Sequence, residues 1–259
     1  MSRPCWQGRL AVVAIALVAL LPAASRASQV TVAVATNFAR PMATLAPAFE
    51  AGSGHELILV LGSTGKLYAQ ITHGAPFDVL LAADAARPAR LAEEGLAEPE
   101  SQFTYAIGRL VLWSPDPGMI GADCRATLAA GRFRHLAIAN PALAPYGAAA
   151  RDVLQMLGVW QEVQPKLVRG ENIGQAFQLV ASGNAELGFV ALAQLAGPDA
   201  GTGGSRWDVP AELHAPIRQD AILLRRAADD PAARAFLAFL RSPETQAVIE
   251  RFGYGVTTS

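Results

Sequence analysis

Short apolar runs at residues 30–35, 57–61, 79–82, 109–113, 136–139, 167–169, 187–191 and 221–224 are separated by longer stretches whose apolar positions recur at helical spacing. This alternation predicts βαβ units and mainly parallel sheets. Several runs are apolar throughout, with no period of two, as expected where helices cover both faces of a sheet. Helices are predicted over 39–51, 85–94, 147–157, 173–182 and 231–252, with Gly95 capping the second. Two segments are placed to carry the chain between lobes: 106–114, ahead of the turn-rich Pro115-Asp116-Pro117-Gly118, and 216–224. Lying side by side they would form a two-stranded hinge. The glycine- and threonine-rich stretch 197–205 reads as an exposed loop, and there is no internal repeat or heptad.

The N-terminus changes the picture. Arg3 and Arg9 lead into an apolar run over 10–24, and Ser25-Arg26-Ala27 puts small residues at the −3 and −1 positions of a cleavage site. Residues 1–27 therefore read as a secretory signal peptide, with an apolar core shorter than the roughly 20 residues of a spanning helix. Cys5 precedes the apolar run, so it is not the lipidated cysteine of a lipoprotein. The expectation is an exported, periplasmic, soluble monomer. Cys124 is then the only cysteine of the mature chain, which excludes an internal disulfide and points to a buried thiol. Losing three arginines with the leader takes the formal charge from −1 to −4, and Lys66 and Lys166 are the only lysines. That balance argues against a nucleic-acid partner, whose phosphates need clustered cations.

Four corners follow strand-like runs and precede helix-like ones. They are Ala35-Thr36-Asn37-Phe38; Gly62-Ser63-Thr64-Gly65; the segment 139–147 with Asn140, Pro141, Pro145, Tyr146 and Gly147; and the segment 169–175 with Asn172 and Ile173. Each alone reads as a capped turn. Together, two in each half of the chain, they are expected to converge on one cleft, since ligands of open α/β sheets bind outside the carboxyl ends of the strands. Helix N-termini offer free backbone N–H groups and a positive dipole end, which suits an anion. Glu171 would repel such an anion, so its side chain is expected to point away.

Other chemistries fare worse. Gly65-Lys66 resembles the end of a nucleotide P-loop, but Val60 occupies the place of its first glycine and Leu67 that of its Ser/Thr. Lys66 is expected to be a solvated first-turn residue. His55, His73, His135 and His214 lack metal-ligand spacing. No G-x-S-x-G elbow occurs. Asp84 is expected to cap the helix after it, with an acid pair of Asp78 and Asp84 as the weaker reading.

Ala35-Thr36-Asn37-Phe38, Gly62-Ser63-Thr64-Gly65, Gly74-Ala75-Pro76-Phe77-Asp78-Val79, Ala82-Ala83-Asp84 and Gly188-Phe189-Val190 together resemble the periplasmic molybdate-binding proteins (ModA) of ABC uptake systems, over essentially the whole mature chain. The resemblance implies a type II periplasmic binding protein of two lobes, each a doubly wound, mostly parallel α/β sheet, joined by a two-stranded hinge. It divides the chain into lobe 1 (28–110 plus 220–259) and lobe 2 (111–219). It implies molybdate or tungstate as ligand, no cofactor, no direct protein ligand to molybdenum, and an ABC permease as partner. The oxyanion is placed against Thr36, Asn37, Ser63, Thr64, Tyr146 and the Ile173 backbone. Where many members carry a tyrosine just after the Gly-x-Val strand, this chain has Ala191, and Tyr146 offers a phenol from another direction. The alternatives are a receptor for sulfate or phosphate; a receptor for iron(III), against which Tyr68, Tyr105, Tyr146 and Tyr254 are scattered in sequence; and a secreted hydrolase using Asp78, Asp84 or Ser63.

Overall fold

A computed structural model describes residues 28–196 and 203–256; the expected signal peptide over 1–27 and part of the loop 197–205 lie outside the described residues. The described residues form two five-stranded sheets. The first runs in the order β2 (Glu56–Gly62), β1 (Gln29–Ala35), β3 (Val79–Leu81), β10 (Ile217–Leu223), β4 (Phe103–Gly108). The second runs β7 (Leu167–Gly170), β6 (Leu136–Ala139), β8 (Leu187–Ala191), β5 (Leu110–Ser114), β9 (Ser205–Asp208). Helices flank them: α1 (Ala39–Ser53), α2 (Thr64–Thr72), α3 (Ala86–Glu93), α4 (Cys124–Ala130), α5 (Pro145–Met156), α6 (Trp160–Val163), α7 (Ile173–Ala181), α8 (Leu192–Leu195), α9 (Pro231–Arg241) and α10 (Pro243–Arg251). No helix among the described residues is long and apolar enough to cross a membrane.

Both sheets are mixed. β1 pairs in parallel with β2 and β3, and β6 with β7 and β8, as the alternation predicts. The antiparallel pairings are made by the strand through which the chain enters each sheet from the other: β10 against β3 and β4, and β5 against β8 and β9. The sequence pattern reports burial, which says nothing of strand direction. Gly108 pairs with Ile217, so the two crossovers lie side by side. The expected lobe boundaries at 110/111 and 219/220 each fall inside a strand, because Leu110 pairs in the second sheet and Ile217–Leu223 forms one strand of the first.

Each sheet is covered on both faces. Val30, Val32 and Val34 of β1 pack with Phe38, Met42, Leu45 and Phe236, while Ala33 faces Leu67, Ile71 and Leu91. In the second sheet Leu136 and Ile138 face Val153 and Leu154, whereas Ala137 faces Val180. The segment 231–252 is two helices, contrary to the single helix predicted. Ser242 is extended (φ −64°, ψ 145°) and accepts from the Thr245 N–H as cap of α10. Pro243 forces this break, since the residue before a proline is disfavoured in the α region. Cys124 is buried, and desolvation followed by Asp123 pushes its thiol up to about 12.

Glu186 ties the start of β8 to the start of β6 by accepting from Arg134 Nε (2.9 Å) and the His135 N–H (2.9 Å). Burial pushes its carboxyl up, but the Arg134 and backbone hydrogen bonds outweigh that and lower it to about 2. A carboxyl depressed by folding contributes stability that is present in full above its unfolded value and lost as pH falls through the folded one. Glu186→Gln is therefore expected to lower the urea midpoint at pH 6, by an amount that shrinks towards pH 2. A difference independent of pH would contradict the assignment.

Candidate functional site

Residues just beyond the carboxyl ends of β1, β2, β3 and β7, together with the N-terminus of α5, enclose a small cavity of about 10 Å³. That is room for a single small species. All six residues expected from the sequence line it: Thr36, Asn37, Ser63, Thr64, Tyr146 and Ile173, joined by Asn172. The local reasons are turn chemistry. Ser63 and Asn172 are extended caps whose side chains accept from the Lys66 and Gln175 N–H groups, starting α2 and α7. Pro145 opens α5, where its missing N–H costs nothing.

Among the described residues the backbone N–H groups of Asn37, Ser63, Tyr146 and Ile173 have no protein acceptor. Such groups at helix starts are orphan donors that suit an anion and lie with the positive dipole end. The Ser63 hydroxyl oxygen accepts from Lys66 N (3.4 Å) and the Thr64 oxygen from Ala83 N (2.9 Å), so both keep a proton to give. Thr36 is used differently from expectation: its hydroxyl donates to Asn172 Oδ1 (3.3 Å) and accepts from Gly174 N (3.2 Å), clasping the two lobes. The Asn37 side-chain N–H groups are also committed, to Gln219 Oε1 (2.7 Å) and the Tyr254 hydroxyl (3.1 Å), which leaves its backbone N–H for the cavity.

No charged side chain lines the cavity. Lys66 is not simply solvated. It pairs with Glu171 across the cleft mouth at 3.3 Å, which also draws that carboxylate off the site. Gly65 N–H donates to Leu143 O (2.9 Å) and Arg87 to Ala142 O (3.2 Å), two further links between lobes. Asp84 accepts from Arg87 N (2.9 Å) and pairs with its guanidinium. Asp78 accepts from Thr31 N (2.7 Å) and pairs with Arg226. Neither aspartate reaches the cavity, no histidine lines it, and Ser63 has no base beside it.

Three of the four tyrosines, scattered in sequence, come together. The Tyr105 hydroxyl shares its one proton between Ala82 O (3.1 Å) and Gln219 Oε1 (3.1 Å), Tyr254 donates to Asn37 O (2.8 Å), and Tyr146 accepts from Gln219 Nε2 (3.0 Å). Burial pushes all three phenols above their ordinary range, with neighbouring Tyr254 adding for Tyr105 and Tyr146. Of the four tyrosines Tyr146 alone lines the cavity, which disfavours iron(III), a cation that wants several phenolates. Gln219, Tyr105 and Tyr254 escaped the sequence reading because no local motif marks them. Gln194 escaped too; it accepts from Ala191 N (2.9 Å) and donates to Ile173 O (3.1 Å), bracing the start of α7.

Two lobes with a closed cleft, lined by neutral donors at helix starts, define a solute-binding protein. The family model for bacterial extracellular solute-binding proteins matches residues 30–255, and the chain belongs to that family. It is 51% identical to the molybdate-binding protein ModA of Azotobacter vinelandii over 92% of this chain and 94% of that one. The ModA of Rhodobacter capsulatus is 47% identical, over 95% and 96%. Among solved structures, the periplasmic molybdate-binding protein of Azotobacter vinelandii superposes with a TM-score of 0.85 at 41% identity, covering 88% of this chain and all of that one.

Proposed function

We propose that this chain captures molybdate, and tungstate with it, as a tetrahedral dianion and delivers it to the permease of an ABC importer without performing chemistry. The observation that carries the reading is the ring of uncommitted amides at Asn37, Ser63, Tyr146 and Ile173 around a cavity with no charged side chain. The Ser63 and Thr64 hydroxyls and the Tyr146 phenol complete the donor set, with Thr36 closing the cleft. The relatives named above support the ligand. We place the protein in the periplasm as a monomer, exported by residues 1–27, with the lobes meeting at the β4/β10 pair.

Molybdate and tungstate are fully deprotonated at neutral pH, so donors alone satisfy every oxygen. Charge-assisted bonds contribute roughly 1.5–3 kcal/mol each, so a handful accounts for an affinity of about −8 to −12 kcal/mol after closure. Monohydrogen phosphate brings a proton with no acceptor to meet it, at a cost of about 1–3 kcal/mol. Sulfate has the right charge but is smaller, so donors set for the larger ion reach it at stretched distances. Calorimetric titration of anion-free protein tests this: tight one-to-one binding of molybdate and tungstate, with sulfate and phosphate silent, is expected. Tight sulfate or phosphate binding with molybdate silent would overturn the ligand.

The Lys66–Glu171 pair is more than half exposed on both sides, so its worth is about 0–1 kcal/mol. Glu171→Gln is expected to change the molybdate Kd by less than about fivefold, with the difference fading as salt rises. A tenfold or salt-insensitive change, read by calorimetry, would give the pair a larger part in closure.

A further inference from the structure

Gln219 is fully buried and does not line the cavity, yet it touches residues of both lobes that do. It sits on the hinge strand β10 where the register passes from Gln219↔Ala106 to Asp220↔Thr104, which makes Tyr105 the extra residue of a β-bulge. Bulges re-aim side chains, and here Tyr105 and Gln219 meet. The Gln219 carboxamide is held in one sense: its oxygen accepts from Asn37 Nδ2 (2.7 Å) and the Tyr105 hydroxyl (3.1 Å), so its nitrogen faces the Tyr146 hydroxyl (3.0 Å).

We infer that Gln219 is a positioning residue of the anion site: it ties Asn37 of one lobe to Tyr146 of the other and, by donating to the Tyr146 oxygen, leaves that phenol only its proton to offer the ligand. The inference rests on the oxyanion reading above. The neighbouring Tyr254 hydroxyl, which accepts from Asn37 Nδ2 (3.1 Å) and spends its own proton on Asn37 O (2.8 Å), can only accept from Tyr146 as well, so the phenol is a donor on that side too and an arriving anion draws the proton across from Tyr254. A phenol held as donor matches a fully deprotonated oxyanion. Released from Gln219, it can turn and accept, so part of the discrimination against monohydrogen phosphate resides in a residue that touches no ligand.

The test is a double-variant cycle, with Kd for molybdate and for phosphate measured in wild type, Gln219→Met, Tyr146→Phe and the pair. Gln219→Met is expected to weaken molybdate binding about tenfold and to narrow the molybdate-to-phosphate ratio. In the Tyr146→Phe background it should add little, because its effect runs through the phenol. Additive losses with an unchanged ratio would reduce Gln219 to a structural role and overturn the inference, while leaving the molybdate reading intact. Wild type that fails to bind molybdate would remove both. Should Gln219→Met fail to fold, the side-chain amide resonance of Gln219 in wild type serves instead: it should move on adding molybdate, and an unmoved resonance overturns the inference.

Discussion

Gly108→Ala is expected to weaken molybdate binding by fivefold to a hundredfold while leaving both sheets formed. A Cβ at Gly108 would lie 2.7 Å from Gln219 Nε2 and 2.8 Å from Tyr146 Cζ, and would overlap the Tyr146 hydroxyl. Neither side chain has a route out, since Gln219 and Tyr146 are both buried. The cost therefore cannot be relieved by a swing into solvent, and overpacking of this kind is worth about 1–3 kcal/mol. Part of it falls on stability and part on the phenol, which must leave the place from which it faces the cavity. The β4 backbone is ordinary at this position, with no positive φ, so the effect is steric and local. Calorimetry and urea unfolding together separate the two parts. An unchanged Kd alongside a lowered midpoint would show that the Tyr146 hydroxyl is not needed where it stands.

The site was legible where its chemistry is local. Ser63 and Asn172 each cap a helix by accepting from the N–H three residues ahead, and Pro145 opens another, so their corners could be read from short windows of sequence. What closes the site was not legible. Gln219 reaches Asn37 over 182 positions and Tyr254 reaches it over 217, and a glutamine or tyrosine in a strand carries no mark of such a partner. Gly108 is similar, because its importance lies in a missing Cβ beside two distant side chains. Strand direction was hidden for a related reason: β5 and the second half of β10 are as apolar as β8 and β3 beside them, and only the path of the chain between lobes sets them antiparallel. The break at Ser242-Pro243, by contrast, was written in the sequence, and the apolar periodicity on either side obscured it.

The same logic locates a variant that separates closure from folding. Gly65 stands in the first turn of α2 and donates its N–H across the cleft to Leu143 O at 2.9 Å. A Cβ there would meet that oxygen at 2.9 Å, Leu143 Cα at 3.1 Å and Arg87 Nη2 at 3.2 Å. Two of these three atoms are backbone of the other lobe and cannot rotate away, so relief comes by holding the lobes apart. Within its own helix the alanine is favourable, by about 0.5–1 kcal/mol relative to glycine. Gly65→Ala is therefore expected to leave the melting temperature of ligand-free protein equal or higher, while raising the molybdate Kd fivefold to a hundredfold, as about 1–3 kcal/mol of overpacking acts on the closed state alone. Small-angle scattering should show less compaction on adding molybdate than wild type undergoes. The opposite signs are what make the variant informative: a misfolded protein would lose both, whereas a raised melting temperature with an unchanged Kd would mean that the Gly65–Leu143 contact forms no part of the bound state.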